Sequence, residues 1–268
     1  MIIIGEKLNG FIPKTLAAIE AKDEGYIKEI IAGQVAGHAD YLDICAGVEA
    51  EREMEVMEWL IGLAQANSDL PLCLDSSDPQ ILLDCMKLAN KPGMINSVSM
   101  EDGKIEAIFP AIADTEWKVV ALTCNNDGIP DDPPTKLAIA KEIMAECDKY
   151  GIDHDRVFID PLVTTLATKG DSMANFMEGV RLIKEEFPRV HFTSGLSNIS
   201  FGMPARRCIN MQFACLAMCA GMDSAIMDPM SADLQGAVAA TAALLGQDEW
   251  CMNYLTMYRE NLLPVKSA

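Results

Sequence analysis

The feature that most constrains this chain is a regular alternation of short apolar runs with longer segments of helical periodicity. Eight runs read as strands, at 2–5, 41–46, 71–76, 93–98, 118–124, 157–162, 191–197 and 224–228. Helical patterns follow each of them, near 14–37, 52–67, 79–90, 103–114, 134–149, 172–187, 205–220 and 231–245. Parallel strands must be joined by crossovers, and an unbroken series of strand–helix units closes naturally into a barrel. The pattern therefore predicts an α/β fold, a (β/α)8 TIM barrel forming a single domain over residues 1–268, with 248–268 as a short closing extension. An open doubly wound sheet is the competing arrangement. Its glycine-rich signature after the first strand is missing, because Gly5-Glu6-Lys7-Leu8-Asn9 stands there. Asp78-Pro79 and Asp132-Pro133 place a capping carboxylate before a first-turn proline, which supports two of the helix starts.

Composition narrows the partners. The net charge of −19 disfavours nucleic acid and anionic lipid surfaces. No apolar run approaches the ~18 residues of a membrane span, and Met1-Ile2-Ile3-Ile4-Gly5-Glu6 lacks the basic start of a secretory signal. The nine cysteines are odd in number, and most lie in apolar segments, so they read as reduced core residues of a cytoplasmic protein. Cys215 and Cys219, one helical turn apart, read as core-facing thiols of a buried helix. The three histidines are dispersed, and no CxxC or HExxH spacing for zinc occurs.

In a parallel barrel the C-terminal strand ends form the active-site mouth. Here they carry Glu6 and Asn9, Asp43, Asp75-Ser76, Asn96-Ser97, Thr123-Cys124-Asn125, Asp160, Ser197-Asn198 and Asp228. The mouth is rich in carboxylates and amides and poor in nucleophiles. A carboxylate accepts two parallel hydrogen bonds from an N–C–NH2 edge, and the pyrimidine half of a pterin offers that edge. Asp75 and Asp160 sit in otherwise apolar runs, where an unpaired carboxylate is costly, so function is the better account of both. Asp43 reads equally well as a structural hydrogen-bonder. Two of these carboxylates could also hold a divalent metal.

At these residues the chain resembles the pterin-binding methyltransferases, the family of methyltetrahydrofolate:corrinoid/iron–sulfur protein methyltransferase and of the folate domain of cobalamin-dependent methionine synthase. The matching segments include Ile3-Ile4-Gly5-Glu6-Lys7-Leu8-Asn9-Gly10, Leu72-Cys73-Leu74-Asp75-Ser76, Met94-Ile95-Asn96-Ser97 and Ile159-Asp160-Pro161-Leu162. The most specific is Gly195-Leu196-Ser197-Asn198-Ile199-Ser200-Phe201-Gly202, and Ala225-Ile226-Met227-Asp228-Pro229 follows it. Two positions depart from or divide the family. Cys45 stands where an asparagine is common, and Phe201 matches methionine synthase rather than the enzyme with an iron–sulfur partner.

The resemblance implies a methyltransferase working between N5 of tetrahydrofolate and the cobalt of a corrinoid carried by a separate protein, in either direction. It implies that Asp75, Asn96 and Asp160 hold the pterin, that Asn198 lies beside N5, and that Arg206 lies near the entrance. Glu6, Asp43, Ser197 and Phe201 complete the expected folate-facing set. Asn198 would present its amide oxygen to a protonated N5, with the proton supplied by water held by Asp75 and Asn96. The chain would act as a homodimer and need no metal of its own. The alternative is a folate-binding barrel that is non-catalytic or runs another reaction. Dihydropteroate synthase shares the barrel, but its strand-7 lysine and strand-8 arginine–histidine pair have no counterpart here.

Overall fold

A computed structural model describes residues 1–264. Its strands are β1 (Ile2–Asn9), β2 (Tyr41–Cys45), β3 (Leu72–Asp75), β4 (Met94–Met100), β5 (Lys118–Asn125), β6 (Val157–Asp160), β7 (His191–Phe192) and β8 (Ser224–Met227). They form one parallel sheet in the order β7-β6-β5-β4-β3-β2-β1-β8. The ends of the sheet meet beyond β7. There Leu196 N donates to Ile226 O at 3.0 Å and Ile226 N to Ser194 O at 3.0 Å, through the Gly195–Ile226 bridge. The eight-unit barrel expected from the alternation is what the chain adopts.

The outer ring is α1 (Pro13–Glu20), α2 (Glu24–Ala36), α3 (Ala50–Asn67), α4 (Pro79–Leu88), α5 (Lys104–Ile112), α6 (Pro133–Tyr150), α7 (Ser172–Glu186), α8 (Arg206–Ala220), α9 (Ala232–Leu244) and α10 (Met252–Arg259). One expected helix, 14–37, is two. The chain leaves α1 through Lys22 at φ 48°, and Asp23 restarts it by accepting from Tyr26 N at 3.1 Å. The two proline-led helices start as expected, with Asp78 accepting from Gln80 N and Asp132 from Thr135 N. Strand 191–197 keeps only two ladder residues, because the following segment turns across the β6–β8 gap into a 3-10 turn over Asn198–Ser200. In the closing extension, Met257 and Leu263 pack with Ala239 of α9; residues 265–268 lie outside the described residues.

Strand alternation sorts the side chains. Outward residues such as Ile3, Leu42, Leu74, Ile95, Val119 and Ile159 join the helices in the main core. Inward residues Ile4, Cys73, Met94, Val120 and Phe158 fill the lumen with Tyr41. This apolar plug forms the floor of the mouth.

The cysteine expectation needs correcting. Cys45, Cys73, Cys85, Cys124 and Cys147 are buried and all nine are free, but Cys208, Cys219 and Cys251 are exposed and Cys215 is half-buried. Thus Cys215 and Cys219 are not core-facing. α8 is apolar on its outward side as well, and so reads as a buried helix from sequence.

Candidate active site

One residue further along most inward rows, the apolar filling gives way to acids and amides: Asp43 beyond Tyr41, Asp75 beyond Cys73, Asn96 beyond Met94, and Asp160 beyond Phe158. They line a cleft of about 680 Å3 at the C-terminal strand ends. Every expected site residue lies on its wall: Glu6, Asp43, Asp75, Asn96, Asp160, Ser197, Asn198, Phe201 and Arg206. Periodicity of two places all the inward strand residues on one surface, although their sequence positions span most of the chain.

β1 contributes two adjacent side chains because it bulges. Gly5 pairs with Leu42 but Leu8 with Ile44, so an extra residue is accommodated and both Glu6 and Lys7 reach the cleft. The buried Gln34 of α2 holds the bulge, its Oε1 accepting from Lys7 N at 3.0 Å. Gly5 leaves room for this contact, since a Cβ there would stand 2.4 Å from Gln34 Oε1 and push the amide away from Lys7 N. Lys7 pairs with Asp228 at 3.2 Å.

Burial dominates the electrostatics. It pushes the Asp160 carboxyl up to about 7, although Leu162 N donates to Asp160 Oδ1 at 2.8 Å and Lys136 lies nearby. Burial likewise lifts Asp75 to about 6, opposed by a thiol hydrogen bond from Cys45. Asp43, fully enclosed beside Asp75, is raised well above the carboxylate range. Asn96 Nδ2 reaches Asp43 Oδ1 at 3.4 Å. Asp43 thus faces the lumen and not the loops. Burial, then repulsion from Asp228, brings Glu6 to about 7, while its carboxylate accepts from Ser197 Oγ at 3.3 Å.

On the β7 side, Asn198 is exposed and folds back over Gly195; a Cβ on that glycine would lie 3.1 Å from Asn198 Nδ2. Arg206 fastens the turn, donating to Ser197 O at 2.8 Å and Ser200 Oγ at 3.1 Å. Its guanidinium stands 5.8 Å from the ring of Phe201, which is exposed at the rim with Phe11. Among the described residues no three His, Cys, Asp or Glu side chains cluster as metal ligands.

Two lysines escaped the sequence reading. Lys7 is hidden there by the bulge. Lys136 is buried on α6, and its Nζ donates to Leu162 O at 2.8 Å behind Asp160. Its signal was available, since Lys136 shares one helical stripe with Ala140, Ile143 and Cys147.

Comparisons with known proteins agree with this architecture. A family described as pterin binding enzyme matches residues 27–228. A methylcorrinoid:tetrahydrofolate methyltransferase from Eubacterium limosum is 45% identical over 270 residues, covering 100% of both chains. The methionine synthase of Mycobacterium leprae is 30% identical over 85% of this chain, which spans only 20% of that protein. Among solved structures, dihydropteroate synthase from Xanthomonas albilineans in complex with 7,8-dihydropteroate superposes with a TM-score of 0.62 at 22% identity, covering 92% of each chain. At that identity the likeness concerns the fold.

Proposed function

The chain belongs to the pterin binding enzyme family, and from that premise we propose how its cleft works and which way it runs. It is a methyltransferase that moves a methyl group between tetrahydrofolate and a corrinoid. The observation that carries our assignment of the site is the ring of Asp75, Asn96 and Asp160 on an apolar floor at the bottom of the cleft. A pterin's N3–H and 2-amino group match a buried carboxylate, and its flat ring matches the apolar floor. Asp160 takes the donor edge, and Asp75 and Asn96 take the remaining ring polar atoms. Asn198, on the rim above Gly195, meets N5.

Likeness over the full length to a methylcorrinoid:tetrahydrofolate methyltransferase favours transfer toward folate. The methyl then leaves cobalt without its bonding pair, which stays on the metal as Co(I), while N5 forms the new N–C bond and loses its proton. The protein's tasks are to hold the pterin rigidly, keep N5 in line with the incoming methyl, and receive that proton. The corrinoid is carried by a separate protein that docks over the rim, where Phe11 and Phe201 stand exposed. The test is to mix the protein with tetrahydrofolate and methylcobalamin, or a methylated corrinoid protein, and follow the cobalt spectrum together with 5-methyltetrahydrofolate. A folate-binding barrel without this activity would bind tetrahydrofolate and leave the spectrum unchanged.

The same reading includes a homodimer in the cytoplasm. Nine free cysteines support a reducing compartment. No helix among the described residues is long and apolar enough to cross a membrane. Support for self-association comes from the outer surface of α8, α9 and α10. Residues 208–222 and 234–247 carry no charge in a chain of net charge −19; Leu216 and Leu244 are exposed on them, and Trp250, Met252 and Leu255 on the segment that follows. Two highly acidic copies meet with less like-charge repulsion across the surface of α8 and α9, where charge is sparse.

A further inference from the structure

We propose that Glu6 takes the proton that N5 loses on methylation, and that a side cavity behind Glu6 passes it to solvent. The inference rests on the methyl-transfer reading above and adds the proton's destination. A cavity of about 290 Å3 lies beside the main cleft and shares Glu6, Ser197 and Arg206 with it. Glu6 is therefore part of the wall between the two spaces. The side cavity has one apolar side, formed by Leu196, Met211, Met227 and Leu234, and one polar side, where Arg207, Asn210, Asp228 and Ser231 offer the partners a water needs. Asn210 Oδ1 is screened from solvent and has no hydrogen-bond partner among the described residues, so it needs a donor from within that space.

The other carboxylates of the cleft are committed elsewhere. Asp160 accepts from Leu162 N, Asp75 from the Cys45 thiol, and Asp43 from Asn96 and the Cys73 thiol. Among the described residues Glu6 accepts a side-chain hydrogen bond only from the hydroxyl of Ser197, directly before Asn198 in sequence. The charged groups facing it are Asp228 on the β8 side, Lys7 on β1, Arg206 on α8 and Asp43 across the lumen. Burial and Asp228 raise its affinity for a proton to the neutral range, where a base both accepts and releases readily. In the step, N5 keeps the electron pair of its N–H bond, the carboxylate of Glu6 becomes a carboxylic acid, and water in the side cavity removes the proton.

The test is single-turnover methyl transfer from methylcobalamin to tetrahydrofolate kept saturating at every pH, so that the Asp160-linked change in affinity does not enter the rate, in the wild type, Glu6→Gln and Asn210→Leu. The wild-type rate is expected to rise with pH through about 7 as Glu6 ionises. Glu6→Gln, which preserves the Ser197 contact, is expected to lose that rise and to slow transfer on the order of 100-fold, with tetrahydrofolate affinity within about threefold. Asn210→Leu removes a polar partner for water from the side cavity without touching the cleft. It is expected to slow transfer and enlarge the solvent deuterium isotope effect at unchanged folate affinity. Wild-type rate and pH profile in Glu6→Gln would overturn the proposal. So would weakened folate binding in Asn210→Leu with an unchanged isotope effect, which would make the side cavity part of the substrate's seat. Absence of transfer in the wild type would instead overturn the reading on which the proposal rests.

Discussion

Asp160 and Lys136 form a small machine on the β6 side of the cleft. Leu162 has a left-handed backbone, with φ 55°; its N–H serves Asp160 and its carbonyl is held by Lys136. The burial that makes Asp160 a good partner for two donors also makes it a poor free anion. Its folded value of about 7 lies above the ordinary 3.8, so the folded chain retains a proton that the unfolded chain releases. That contribution to stability is complete below about pH 4 and is lost as pH rises through about 7. Asp160→Asn should therefore raise Tm at about pH 8 by a few degrees while abolishing tetrahydrofolate binding, and calorimetry with a thermal melt at two pH values checks both. For binding the sign is opposite. On the proposed seat the pterin donors would select the anion, so wild-type affinity should fall as pH drops below about 7, with proton release on binding. Lys136→Met removes the nearby cation and leaves the Leu162 carbonyl unpaired. It should weaken folate binding by ~1–2 kcal/mol and move the pH below which affinity declines upward; titration calorimetry at several pH values reads both.

The bulge of β1 is the element on which the opposite wall depends. Without it, a strand alternating strictly would turn either Glu6 or Lys7 into the helix layer. Gln34→Leu leaves the Lys7 N–H without its acceptor, at a cost of ~1–3 kcal/mol, and frees the bulge to slip. We expect it to lower methyl transfer by more than its loss in Tm explains. Asp78→Ala serves as the control, because it removes only the cap of α4, costing about 1 kcal/mol and leaving turnover per folded molecule intact. Denaturant melts and turnover normalised to folded protein separate the two. Elements also mark where the sequence was readable. The β3, β4 and β6 motifs place Asp75, Asn96 and Asp160 inward because alternation is local. The split of 14–37 into α1 and α2 was hidden because Lys22 is not a residue type that announces a left-handed turn.

For the whole molecule, the proposed dimer would use the outer face of α8, α9 and α10. Trp250, exposed at 83%, stands on it with Leu244 and Met252. Trp250→Glu should convert a dimer to monomers in sedimentation without altering folate affinity, since the cleft opens elsewhere; an unchanged sedimentation coefficient at the same concentration would refute that interface. The strand–helix alternation determined the barrel, because hydrophobic period and crossover handedness leave few ways to close eight parallel strands. The identity of the residues at the strand ends determined the character of the mouth, because a carboxylate in an apolar run is either paired or used. Only the tertiary structure decided what depends on distant neighbours. It brought the nine candidate residues onto one cleft wall, set Lys136 behind Asp160, and turned Glu6 and Lys7 together through a bulge held by Gln34 from another element. It also raised the proton affinities of Glu6, Asp43, Asp75 and Asp160. Those shifts come from enclosure, and enclosure is a property of packed surfaces that no single segment carries.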